Sequence, residues 1–293
     1  MDDPDINSGI ELTKGVGLAV VGLGLAPLAK KVALNSGLGP VALAVAVTAV
    51  AAAVAAAWFG RTGFGRFGGY APKDYARVFL VGLMGSGAVV ILGILAMTET
   101  SATNRSLFQA MYPVATAVCA RLLLGERLAG PAYVIIALMS LGLFLMNSGN
   151  GGLELGRAFW LLACTLPLIG LADVIARRSL CNVEPAFVAL GRLTFGLVAL
   201  TVLLPLTSRH DWYGVVSHWP IVLAAGIAMA GGALGLYRAM NVAGASLAAA
   251  FVALAPVITA GAEWLTLGTS FTALQLLGIS LTVTGAAVLA LRY

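Results

Sequence analysis

Across 293 residues the chain is 60% hydrophobic and only 10% charged, with a mean hydropathy of +0.98. A soluble domain carries roughly a quarter of its residues as charges, and a water-facing fold could not hide this much apolar surface, so the bilayer is the expected solvent. The formal charge of +5 does not point to nucleic acid, because the basic residues stand singly or in pairs at the ends of apolar runs, as the positive-inside rule places them.

Taken in order, the first dozen residues are acidic (Asp2, Asp3, Asp5, Glu11) and predict a short cytoplasmic tail over 1–12 rather than a cleavable leader. Ten apolar stretches follow, each near the ~20 residues that a spanning helix needs. They run over about 13–34, 38–59, 77–97, 102–124 and 130–147, then about 157–178, 184–206, 220–240, 243–266 and 271–291. The expected fold is an all-α membrane protein of ten transmembrane helices. Gly60–Ala76 is rich in glycine and basic residues and reads as a surface loop. Thr207–Trp219 reads as a second loop, holding both histidines (His210, His218) with Trp212, Tyr213 and Trp219 at headgroup level. The short hinges Gly125–Ala129 and Gly268–Ser270 imply antiparallel hairpins. Cys119, Cys164 and Cys181 show no CxxC spacing, so neither disulfide nor zinc is expected.

Orientation follows from the lysines and arginines. With the N-terminus inside, eleven of the 17 fall on the cytoplasmic side and five (Lys30, Lys31, Arg105, Arg157, Arg209) on the other, with Arg192 left inside a helix. Both termini are predicted to be cytoplasmic.

Two segments of equal length repeat one another. ATNRSLFQAMYPVATAVCARLLLG, from Ala102 to Gly125, is matched by ASLAAAFVALAPVITAGAEWLTLG, from Ala245 to Gly268. Pro113 pairs with Pro256, Thr116 with Thr259 and Gly125 with Gly268, always 143 residues apart (256 − 113). The register extends from Ala96-Met97 against Ala239-Met240 to Gly142 against Gly285, and more loosely to Pro40 against Pro185. The chain is therefore read as a duplication, with a first five-helix repeat over 13–147 and a second over 157–291. Five is odd, so the second copy must enter the membrane inverted. Inverted repeats exchange inward-open and outward-open shapes around a shared site.

Pro113–Ala117 (Pro-Val-x-Thr-Ala) followed by Leu122–Leu128 (Leu-Leu-Leu-Gly-Glu-Arg-Leu) resembles the fourth helix of the drug/metabolite transporter superfamily, in its ten-helix bacterial branch with two EamA repeats. The resemblance covers about Gly17 to Leu291. It implies a secondary transporter exporting amino acids or related small metabolites across the bacterial inner membrane. It also implies a midplane cavity lined mainly by helices one, three, four, six, eight and nine. Two departures stand out. Many relatives carry an arginine in the second helix of each repeat; Arg192 holds that place in the second copy, but Val47 holds it in the first. The second copy also has Gly268-Thr269-Ser270 where the first has Gly125-Glu126-Arg127.

Charges inside apolar spans cost at least roughly 2.5–3.5 kcal/mol each at a helix centre, which makes them the first suspects for function. Arg192 is read either as a counter-charge for a substrate carboxylate or as a structural partner of Asp173 or a backbone carbonyl. Asp173 has a second candidate partner in Arg177, four residues along the same face, and with Glu263 it is a candidate for proton coupling. Glu263 either takes up a proton to couple transport or reaches the outer interface beside Trp264, the reading favoured here. Glu126, Arg121 and Arg238 read as helix-end charges.

One face of the fourth span is polar and aromatic: Arg105, Phe108, Gln109 and Tyr112 share a side. The twin positions are Ala248, Phe251, Val252 and Ala255. Tyr112 and Gln109 are placed to hydrogen-bond a substrate, with Phe108 and Phe251 stacking on an apolar part of it; the alternative is hydrogen bonding between helices. Pro27, Pro113, Pro167 and Pro256 fall inside spans, and the matched pair Pro113 and Pro256 is read as hinges. The partners expected are a small-molecule substrate, membrane lipid and, for a coupled mechanism, a proton; no cofactor or metal is expected. An intramembrane enzyme is disfavoured by the absence of HExxH, of paired intramembrane aspartates and of a Ser/His set. A non-transporting membrane partner is the other alternative.

Overall fold

Apolar segments in a bilayer must satisfy their backbone polar groups internally, and this chain does so with helices throughout. The computed structural model describes residues 4–62, 69–100, 102–125, 129–147, 156–267 and 272–292, and all of their regular structure is helical. The first repeat contains α1 (Pro4–Asn35), α2 (Pro40–Thr62), α3 (Pro72–Gly82), a π-helical turn (Leu83–Ala88), α4 (Val89–Glu99), α5 (Ala102–Ala110), α6 (Tyr112–Leu123) and α7 (Gly130–Asn147). The second contains α8 (Arg157–Leu180), α9 (Pro185–Thr201), α10 (Arg209–Ser217), α11 (Trp219–Ala243), α12 (Ala245–Val252), α13 (Ala255–Leu267) and α14 (Ala273–Arg292). Among the described residues six helices are long and apolar enough to cross a membrane, and four shorter apolar helices accompany them.

Three sequence expectations change. The tail is helical from Pro4, so α1 begins well before the apolar run. The third span starts at Pro72, inside the expected loop: Ala71 is extended (φ −71°, ψ 148°), Pro72 occupies the first turn where no N–H is needed, and Asp74 favours the helix N-terminus. Residues 63–68 of that loop lie outside the described residues, as do Glu126, Arg127 and 268–271. The expected loop Thr207–Trp219 contains α10, because Ser208 and Asp211 form a capping box in which the Ser208 backbone N–H donates to Asp211 Oδ2 at 3.0 Å.

Packing follows the small residues. α1 lies against α11 so closely that a Cβ on Gly22 would sit 2.4 Å from the Gly232 backbone nitrogen, the contact that glycine permits between membrane helices. The remaining contacts come in pairs that interchange when each element is replaced by its counterpart in the other repeat. α1 packs on α11 and α13, while α8 packs on α4 and α6; α2 packs on α11, while α9 packs on α3 and the π turn. α2 meets α9, and α7 meets α14. Leu122, Val134, Leu265, Leu276 and Val283 are exposed apolar side chains on the outside of this bundle, as a lipid-facing surface requires.

The two matched segments share one backbone irregularity. α5 gives way to α6 at Met111, whose N–H donates to the Phe108 carbonyl at 3.1 Å, and Val114 then donates to Met111 at 3.1 Å. α12 gives way to α13 through the same two bonds, Leu254 to Phe251 at 3.1 Å and Val257 to Leu254 at 3.0 Å. In both, the tightened turn precedes the proline, Pro113 or Pro256, which sits in the second helix's first turn and has no N–H to lose.

Candidate functional site

Both broken spans border one internal cavity. It offers about 80 Å³ to the centres of water-sized spheres. Its walls come from α1, the π turn and α4, α5, α6, α8, α9, α11, α12 and α13. Compared with the expected lining, α9 joins through Arg192 and Leu193. Most of the wall is aliphatic, including Leu23, Val90, Ile94, Ile169, Met229 and Leu236. Against it stand Lys30, Ser86, Arg105, Gln109, Tyr112, Asp173 and Arg192.

The π turn and α4 place the two guanidinium groups. Arg192, on α9, donates from NH2 to the Gly85 carbonyl at 3.1 Å, from Nε to Ser86 Oγ at 3.2 Å and from NH1 to the Tyr237 hydroxyl at 2.9 Å. Its guanidinium also lies 5.7 Å from the Tyr237 ring centroid, within cation–π range. A Cβ on Gly85 would come 3.0 Å from Arg192 Nε. Arg105, on α5, presses on the same span one step further along: a Cβ on Gly93 would lie 2.3 Å from its Cζ. A side chain at position 93 would push that guanidinium from its place. Arg105 NH1 donates to the Tyr112 hydroxyl at 3.3 Å, and Tyr112 passes the chain on to Thr165 Oγ1 at 3.3 Å.

The single carboxylate in the wall is Asp173, 2% exposed. Its Oδ2 accepts from Thr116 Oγ1 at 3.0 Å, whereas Oδ1 meets no donor among the described residues. Asp173 and Arg192 act on each other electrostatically, but no ion pair within 4.0 Å joins them among the described residues. Arg177 instead donates to the Asn241 carbonyl at 3.4 Å. The structural partner foreseen for Arg192 is thus a backbone carbonyl, at Gly85, together with two hydroxyls.

Of the expected substrate-binding residues, Arg105, Gln109, Tyr112 and Arg192 line the cavity together. Phe108 and Phe251 do not: Phe108 packs with Ala96, Leu162 and Phe159, and Phe251 with Ala132, Ile136 and Met139. The proline of each break lies just beside the cavity, since Tyr112 and Ala255, which immediately precede Pro113 and Pro256, are part of the wall. Glu263 is 6% exposed while its neighbour Trp264 is 54% exposed. Its carboxylate acts on Lys31, whose ammonium bridges the Met97 carbonyl at 2.8 Å and the Thr100 carbonyl at 2.9 Å. Arg121 and Arg238, read as helix-end charges, lie 5.8 Å from the Tyr133 and 5.0 Å from the Trp58 ring centroids.

Lys30 was not foreseen. Sequence counting placed it with Lys31 on the side opposite the cytoplasm, near the end of the first span, but Lys30 is only 9% exposed. Adjacent residues on a helix point about 100° apart, so one lysine turns inward while the other caps α4. The signal was present in Pro27, three residues earlier on the inward face, which also lines the cavity.

A family model described as the EamA-like transporter family matches the chain twice, over residues 15–148 and 157–291. A crystal structure of a protein 18% identical in sequence superimposes with a TM-score of 0.74 over 97% of this chain and 99% of the other, a likeness of fold. No curated protein matches the chain.

Proposed function

Since the chain belongs to the EamA-like transporter family and carries two of its repeats, we propose that it is a secondary transporter exporting amino acids or related small metabolites across the bacterial inner membrane. Its ten spans form two inverted five-helix repeats, 13–147 and 157–291, that work by alternating access, with both termini cytoplasmic. The observation that carries this reading is the cavity, to which both repeats contribute wall and in which charged side chains stand against aliphatic ones. The interchange of packing partners between the repeats supports a two-fold relation between them. Because an odd number of crossings separates each span from its counterpart, that axis lies in the membrane plane.

In the mechanism, Arg105, Arg192, Gln109 and Tyr112 hold the substrate while the halves rock about it. The breaks before Pro113 and Pro256 serve as hinges, since a tightened turn followed by proline leaves few backbone bonds to resist bending. Of the two carboxylates considered for proton coupling, Asp173 faces the cavity and Glu263 does not. Asp173 therefore carries the coupling proton. Vesicles reconstituted with the pure protein are expected to show saturable flux of small metabolites driven by their gradient. Flux no faster than in empty vesicles, across a panel of amino acids and small acids, would sink the reading. Asp173→Asn is expected to abolish the response to an imposed pH gradient and Glu263→Gln to keep it; the opposite pattern would reverse the assignment.

A further inference from the structure

The cavity wall holds three cationic side chains, Lys30, Arg105 and Arg192, and one carboxylate, Asp173. A low-dielectric pocket with such an excess is unfavourable when empty, because like charges repel strongly where water cannot screen them. Lys30 feels both guanidinium groups, and its ammonium has no acceptor among the described residues better than the Met229 thioether at 3.6 Å, a weak one. Arg105 donates one hydrogen bond among the described residues, to Tyr112, out of the five that a guanidinium offers. Arg192, by contrast, is tied to Gly85, Ser86 and Tyr237. The unmet donors therefore belong to Lys30 and Arg105, and the unmet acceptors in the wall are Asp173 Oδ1 and Gln109 Oε1.

We propose that the preferred substrate is a short aliphatic dicarboxylate, with one carboxylate seated on Lys30 and Arg105, and that Lys30 is the residue that selects it. This rests on the transport reading above. In the loaded state Asp173 has released its proton and Lys30 is protonated against the bound carboxylate, so two negative charges balance the excess of three cations over one carboxylate. A neutral zwitterion would leave that excess in place. A hydroxyl on the carbon skeleton would donate to Asp173 Oδ1, so a hydroxylated diacid binds more tightly than its plain counterpart. The chain of carbons is short and aliphatic, matching the Leu23, Val90, Ile94 and Ile169 part of the wall.

The test measures thermal stabilisation of the purified full-length protein by malate, succinate, alanine and inorganic phosphate, at matched ionic strength. Malate is expected to stabilise most and succinate next, with alanine and phosphate leaving the midpoint unchanged. Lys30→Met is expected to weaken diacid binding by about thirtyfold or more, and Lys30→Arg to restore part of it. Stabilisation by alanine equal to that by the diacids, stabilisation by phosphate alone, or full diacid affinity in Lys30→Met would each overturn the proposal. Should Lys30→Met fail to fold, the wild-type ranking decides alone. Flux separates the two layers: vesicles that carry alanine but not succinate refute the substrate class and leave transport standing, while vesicles that carry neither refute transport.

Discussion

The two broken spans share a backbone and differ in the side chains they turn toward the cavity. α5–α6 and α12–α13 tighten at equivalent residues, through equivalent hydrogen bonds, ahead of equivalent prolines. Along the first, Arg105, Gln109 and Tyr112 face the cavity; along the second, Ala249, Val252 and Ala255 do. Even the matched threonines part company. Thr116 donates across to the Asp173 carboxylate at 3.0 Å, whereas Thr259 donates to the Gly24 carbonyl at 2.7 Å. On the transport reading proposed above, duplication keeps the joint in both copies and confines recognition to one. A moving joint needs both copies to agree, while a bound solute needs its polar contacts only once.

The contrast is most exposed to a transfer of charge between the copies. Arg105→Ala is expected to lower flux about a hundredfold, because it removes a desolvated cation from the site. Ala248→Arg, at the fully buried twin position, buries a cation with no partner built for it, at a cost of at least roughly 2.5–3.5 kcal/mol. Little folded protein is expected, as judged by fluorescence-detected size exclusion; a well-folded Ala248→Arg variant would show that the twin face tolerates polarity after all. Next in size are the prolines. Pro113→Ala and Pro256→Ala are each expected to slow flux per folded molecule about three- to tenfold by re-forming a continuous helix, worth up to about 3 kcal/mol of backbone preference. Equal flux would remove the hinge role. Third, Thr116→Val is expected to reduce flux severalfold with little change in melting temperature, and Thr259→Val to lower stability by about 0.6–2 kcal/mol with flux per molecule unchanged. Parallel effects would erase the division between recognition and scaffold. Smallest are Phe108→Leu and Phe251→Leu, expected to alter apparent substrate affinity less than about twofold, since neither ring reaches the cavity and volume is nearly conserved.

How much of this the sequence discloses depends on the kind of signal. Length and hydropathy place every apolar stretch in helix, because a lipid-soluble backbone has few alternatives. The polar face of the fourth span is legible because residues three and four apart share a side, and Arg105, Gln109 and Tyr112 indeed meet in one wall. Phe108 sits among them in sequence, yet turns toward Phe159; periodicity assigns a side of the helix, and a small azimuthal difference then decides between cavity and neighbouring helix. Lys30 was hidden because a charge near the end of a span reads as facing the membrane surface, and only packing decides which of two adjacent lysines turns inward. The capping box at Ser208 and Asp211 was in plain view and was outweighed by the histidines and aromatics around it. The π turn left no trace in the sequence beyond the glycines of LMGSGA.

That turn reaches further than its six residues. Val89 reaches back five positions, to the Met84 carbonyl, so the segment carries one more residue than a plain α-helix would. A widened turn absorbs its extra residue, so Gly93 downstream keeps the phase of an unbroken helix and stays beneath Arg105. Removing one codon between Leu83 and Ala88 would close the turn to plain α-helix and leave that phase in place. The Gly85 carbonyl and the Ser86 hydroxyl, which receive Arg192 at 3.1 and 3.2 Å, would shift. The extra residue thus sets one arginine's anchor without moving the other's.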